Sequence, residues 1–124
     1  MNKEQALHSF WSSFGILAFE ENTVPTGDDA PEFPYITYTF AASEMGQNVL
    51  LNSSLWYRSE SWVSINEKAE EVFDRIGKGG FLVRFDEGAI WLKKGSPFVQ
   101  NMGDETDNLI KRKLFNISAE YLTV

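Results

Sequence analysis

The chain contains no cysteine and a single histidine, His8. Disulfides and thiolate metal centres are thereby excluded, and one imidazole is too few for a zinc site of ordinary composition. A chain without cysteine suits a reducing cytoplasm. Basic residues are also scarce: eleven against eighteen acidic ones leave a net charge of −7. That balance repels phosphate backbones and argues against wrapping or reading nucleic acid, though not against a surface past which DNA slides. No stretch approaches the roughly 18 consecutive apolar residues of a membrane span. The opening MNKEQALHSFWSSF follows its one lysine at once with a glutamate. It therefore lacks the basic start, apolar middle and small-residue cleavage site of a secretory leader.

What is present is apolar and aromatic. In 124 residues, 43% are hydrophobic and 15% are Phe, Trp or Tyr. That is enough for one domain over residues 1–124 with a core of its own. Leu7, Phe10, Trp11 and Phe14 fall at helical spacing, with Gly15 placed to stop the helix. ILAFEEN reads as a short extended piece. VPTGDDAPEFP then holds three of the four prolines and reads as a stiff loop leading into the strand YITYTF. After a turn at SEMGQ, residues Asn48 to Tyr57 alternate. Val49, Leu51, Leu55 and Tyr57 share one face, and Asn52, Ser54 and Trp56 the other, so the two strands read as a hairpin. Ile65, Ala69, Val72, Phe73 and Ile76 form the stripe of a second helix. Ser64 and Glu67 make a capping box at its start, Ser61 is an alternative start, and Gly77 ends it. FLVRF, DEG and AIWLKK read as another hairpin, broken by Gly95-Ser96-Pro97. In the final strand, Phe115, Ile117, Ala119 and Tyr121 oppose Asn116, Ser118 and Glu120. The expected fold is α+β: a mostly antiparallel sheet of about 4–5 strands packed with two helices.

The search for chemistry yields little. His8 falls on the polar side of the first helix and reads as solvated. There is no GxSxG, and the pairs Ser12-Ser13 and Ser53-Ser54 have no evident base. GKGG at Gly77 to Gly80 follows a helix instead of opening one and lacks the P-loop spacing. Two acidic clusters, Asp28-Asp29 with Glu32 and Asp104-Glu105 with Asp107, do not match an EF-hand. They read as solvated loops or as loops that meet a basic partner; a weak ion site is the alternative. Lys111, Arg112 and Lys113 are the only basic run, either a solvated strand edge or a contact to an acidic loop of an adjacent copy. The sequons at Asn52 and Asn116 fall in expected strands and read as chance matches. No catalytic residue, metal or cofactor is expected. Trp56, Trp91 and Tyr38 point away from their apolar strand neighbours, toward the open face of a sheet with one helical layer. Either a second subunit or the second helix covers them.

The order of motifs resembles the tail terminator, or tail completion, proteins of long-tailed bacteriophages and prophages, over almost the whole chain. The resemblance is carried by Phe14-Gly15-Ile16 closing the first helix, by Val24-Pro25, and by Phe33-Pro34-Tyr35-Ile36-Thr37-Tyr38 opening a strand. Leu55-Trp56-Tyr57-Arg58-Ser59, running into a helix with Trp62 near its start, and the closing KRKLFNISAEY complete it. It implies a structural, non-enzymatic subunit that assembles as a hexameric ring on the head-proximal end of the tail tube. Its partners would be other copies of itself, the tail tube protein and a head–tail neck protein. DNA would pass through without specific binding, and no membrane is involved. It further implies assembly in the host cytoplasm and a place in the virion tail. Asp28, Asp29, Glu32, Trp56, Trp91, Asp104, Glu105, Asp107, Lys111, Arg112 and Lys113 are the candidate contacts. The alternatives are a neighbouring neck (head completion) protein and a small-molecule or peptide binding module using the open aromatic face.

Overall fold

The computed structural model describes residues 1–42 and 47–123. The expected turn at SEMGQ lies largely outside them. Helix α1 (Lys3–Ser12) opens on a capping box: the Asn2 side chain accepts from the Gln5 amide, and the Gln5 side chain accepts from the Asn2 amide. Strand β1 (Leu17–Glu20) follows, then single 3-10 turns at Glu21–Thr23 and Gly27–Asp29. The rest is β2 (Tyr35–Tyr38), β3 (Asn48–Arg58), α2 (Val63–Ile76), β4 (Phe81–Phe85), β5 (Gly88–Gly103) and β6 (Ile110–Thr123).

The α+β class and the two helices are as expected; the sheet is larger. It has six strands in the order β1-β2-β3-β6-β5-β4. ILAFEEN, read as merely extended, supplies the added edge strand β1. It pairs with β2 in parallel, Leu17 opposite Tyr35, so the sheet is mixed. A parallel pair needs a connection that carries the chain back to the same end. The proline-rich segment between Glu20 and Tyr35 is that crossover, with a single 3-10 turn at Gly27–Asp29.

Three local expectations are corrected. Gly95-Ser96-Pro97 does not end its strand: β5 runs through it, with a register shift between Lys94 and Val99 against β6. A Cβ on Gly95 would lie 2.8 Å from the Asn116 carbonyl oxygen, so glycine is what lets the chain approach its neighbour there and bulge without breaking. Helix α2 begins after Trp62, not at Ser64. Its first amide, Val63, donates to the Ser61 hydroxyl at 3.1 Å, so the anticipated capping box is absent. Phe73, placed by spacing in the buried stripe, is 45% exposed; it lies under the Lys94 ammonium and beside Phe98.

One buried cluster holds the molecule together, joining Leu7, Trp11, Ile65, Val72, Leu55, Ile90, Phe115 and Tyr121. Both helices contribute to it from the same side of the sheet. α2 lies over β3, β6 and β5, and α1 touches both edge strands, β1 and β4, so the sheet curls around α1. Among the described residues no helix lies on the other face, and there Leu50 is 79% exposed. Among the described residues, no helix is long and apolar enough to cross a membrane.

Candidate functional site

Register along the sheet determines what the uncovered face presents. Leu17, Tyr35, Trp56, Arg112 and Met102 stand opposite one another in sequence across β1, β2, β3, β6 and β5, forming a row at one end of that face. Tyr35 and Trp56 stack at 6.2 Å with their planes 17° apart, and the Trp56 indole N–H donates to Thr37 Oγ1 at 2.8 Å. The Arg112 guanidinium lies 4.7 Å from the Trp56 ring centroid, and its Nε donates to Ser54 Oγ at 3.0 Å. Ser54 is buried although it faces outward. Burial raises the Tyr35 phenol above its ordinary pKa. Exposed Leu17 and Met102 close the two ends of the row. Trp91 lies at the opposite end of the face, beside Leu82 and Glu120. It donates to the Gly79 carbonyl at 2.8 Å, with Lys93 4.4 Å over its ring. Trp56 and Trp91 therefore do face the uncovered side, as separate platforms. Tyr38 does not: it is buried toward α1, because strand alternation puts it with Ile36.

The KRK run reads in sequence as a solvated strand edge or as a contact to an acidic loop of an adjacent copy. β6 lies instead between β3 and β5, and alternation splits the three residues between its faces. Lys111, 8% exposed, turns toward the helices and donates to the Asn108 carbonyl at 2.6 Å. Lys113 lies 5.8 Å from the Trp62 ring centroid, and burial lowers its pKa. Arg112 alone of the three reaches the open face.

The two acidic clusters differ in the same way. Asp104 Oδ1 accepts from the Thr106 hydroxyl at 2.7 Å, the Thr106 amide at 2.8 Å and the Asp107 amide at 3.1 Å; these bonds, the hydroxyl's first, hold its pKa below the usual carboxylate value. Asp107 accepts from the Leu109 amide and from Arg58 Nε, each at 3.0 Å, and its pKa is lowered for that reason. Both carboxylates are engaged in closing the β5–β6 turn, while Glu105 points outward. Asp28, Asp29 and Glu32 are exposed on the crossover loop and have no hydrogen bond or ion pair to any described residue.

Sequence reasoning missed one constellation. His8 is exposed but not unpartnered: one ring nitrogen lies 3.0 Å from the Tyr38 hydroxyl and the other 3.2 Å from Ser12 Oγ. The helical i, i+4 spacing of His8 and Ser12 was the available signal. Burial, then the charges of Glu20 and Glu4, raises the Tyr38 pKa, so that hydroxyl stays protonated. The amide that follows Ser12 bonds back to the Ser9 and Phe10 carbonyls and is not free to stabilise an oxyanion. The group therefore ties α1 to β2. Among the described residues, no cluster of three or more His, Asp or Glu side chains is placed to hold a metal ion. No protein-family model, curated protein or solved structure matches the chain.

Proposed function

We propose that the chain is a structural subunit of a phage or prophage tail, a terminator that assembles as a ring on the head-proximal end of the tail tube and joins it to the neck. The single observation that carries this reading is the uncovered sheet face. Its aromatic residues are braced by polar partners instead of being buried under a helix, as a subunit surface awaiting a neighbour would be. The order of motifs described above supplies the kind of neighbour. A closed ring uses two different patches on each copy, and the uncovered face and the crossover loop are two chemically unlike surfaces on one chain. On this reading the acidic balance lets DNA pass without adhering.

Light scattering and electron microscopy of the purified chain, alone and with the tail tube protein encoded in the same genome, test the proposal. Closed rings of about six copies, or rings formed at tube ends that halt their growth, are the expected result. Tubes that lengthen unchanged in its presence, together with a monomer at every concentration, overturn it.

A further inference from the structure

A ring requires that one patch on each copy fit a different patch on the next, and the charges here single out a pair. We propose that Arg112 on the open face of one copy receives the carboxylates of the crossover loop, Asp28, Asp29 and Glu32, of the next copy. The inference rests on the ring reading and names the contact that would close it.

Arg112 is built to receive a carboxylate. Its guanidinium lies over the Trp56 ring, 4.7 Å from the centroid, and the Tyr35 stack and the Thr37 hydrogen bond hold that ring in place. Its Nε is committed to the buried Ser54 hydroxyl. Its two terminal nitrogens have no hydrogen-bond partner among the described residues, which leaves the fork open for two-pronged binding with little side-chain entropy left to lose. Exposed Met102, directly opposite Arg112, and exposed Leu17, at the far end of the row beyond Trp56 and Tyr35, offer apolar surface suited to the loop's prolines.

Five of the other ten cations are already occupied by an ion pair or a hydrogen bond. Arg58 pairs with Asp107, Lys93 with Glu120 and Lys68 with Glu71; Arg75 bonds Ser13, and Lys111 bonds Asn108. Arg84 and Lys78 are exposed on β4 and the turn before it, without an aromatic platform; Lys3, Lys94 and Lys113 lie over aromatic rings but carry a point-charge ammonium without the planar fork. On the acidic side, Asp104 and Asp107 are engaged within their own turn, whereas the 26–32 loop presents its carboxylates on a turn closed by the Ala30 amide on the Gly27 carbonyl at 3.2 Å. At a net charge of −7, two copies repel except where an open arginine meets unpaired acids. A guanidinium on an aromatic ring would also take the phosphate of a single-stranded nucleic acid. The acidic chain and the single open arginine on this platform favour the carboxylate.

Sedimentation velocity at low and high salt tests the contact on the full chain, with Arg112→Glu, the pair Asp28→Lys/Asp29→Lys, and all three changes combined. Each reversal should weaken self-association at least tenfold, and the combination should restore it. Arg112→Lys, which keeps the charge and loses the fork, should fall between. Circular dichroism confirms folding; should Arg112→Glu fail to fold, Arg112→Gln and the loop variants decide. Rings undiminished in both reversals overturn this contact and leave the ring reading standing. A wild-type chain that stays monomeric, alone and on tubes, overturns both. Binding of a single-stranded oligonucleotide that Arg112→Glu abolishes, with self-association unchanged, overturns the carboxylate assignment.

Discussion

The two faces of the sheet use aromatic side chains in opposite ways. On the covered face, Trp11, Phe115 and Tyr121 are buried in the core cluster with aliphatic and aromatic neighbours, and their stability comes chiefly from removing apolar surface from water. On the open face, Tyr35 and Trp56 stay partly wet and are fixed by a stack, a hydroxyl and a guanidinium. The covered face therefore specifies the fold. The open face is held rigid at modest energetic gain, which suits a surface reserved for something else.

The difference is sharpest in mutation. Phe115→Ala, at a fully buried position, should cost about 3–5 kcal/mol and leave the chain mostly unfolded well below its normal melting temperature, read by thermal denaturation. Trp56→Ala should cost less, about 2–3 kcal/mol, the worth of a stack, a cation–π contact and one hydrogen bond, while removing the Arg112 platform. A result in which Trp56→Ala matches Phe115→Ala would mean that the open face is part of the core.

Alkaline pH probes the buried phenols without mutation, chiefly those of the covered face, with Tyr35 the one on the open face. Burial pushes the Tyr121 phenol up to about 12 and also raises Tyr38 and Tyr57. Because the folded pKa lies above the unfolded value of about 10, this stability is complete below pH 10 and is lost as pH rises toward 12. Chemical denaturation should show stability falling over that window, and Tyr121→Phe should flatten the fall.

The smallest effects separate the two acidic loops. Asp104 and Asp107 have lowered pKa values, so their contribution is present above pH 4 or so and is lost as pH drops through their folded values. Asp104→Asn should lower the melting temperature slightly at neutral pH and flatten its acid dependence. Asp28→Asn with Asp29→Asn should leave the melting curve unchanged, because those carboxylates bond no described residue, and should act on self-association alone.

Much of the local structure was legible in the sequence because periodicity reports burial directly. The faces of α1, β3 and β6 follow the spacing of Leu7, Phe10 and Trp11, of Leu51 and Leu55, and of Phe115 and Ile117. Composition also excluded disulfide and thiolate chemistry outright, since no cysteine exists to supply it. What spacing does not encode is which strand lies beside which. That LAFE is an edge strand, and that the proline loop is a parallel crossover, depends on pairing between residues far apart in the chain. The fate of each charge is likewise tertiary. Asp104 and Asp28 look equivalent in sequence, and so do Lys111 and Arg112. Only the fold brings Thr106 and its neighbouring amides to Asp104, buries Lys111 beneath Trp62, and leaves Arg112 and Asp28 facing solvent, because partners for a charge are chosen by distance in space and not along the chain.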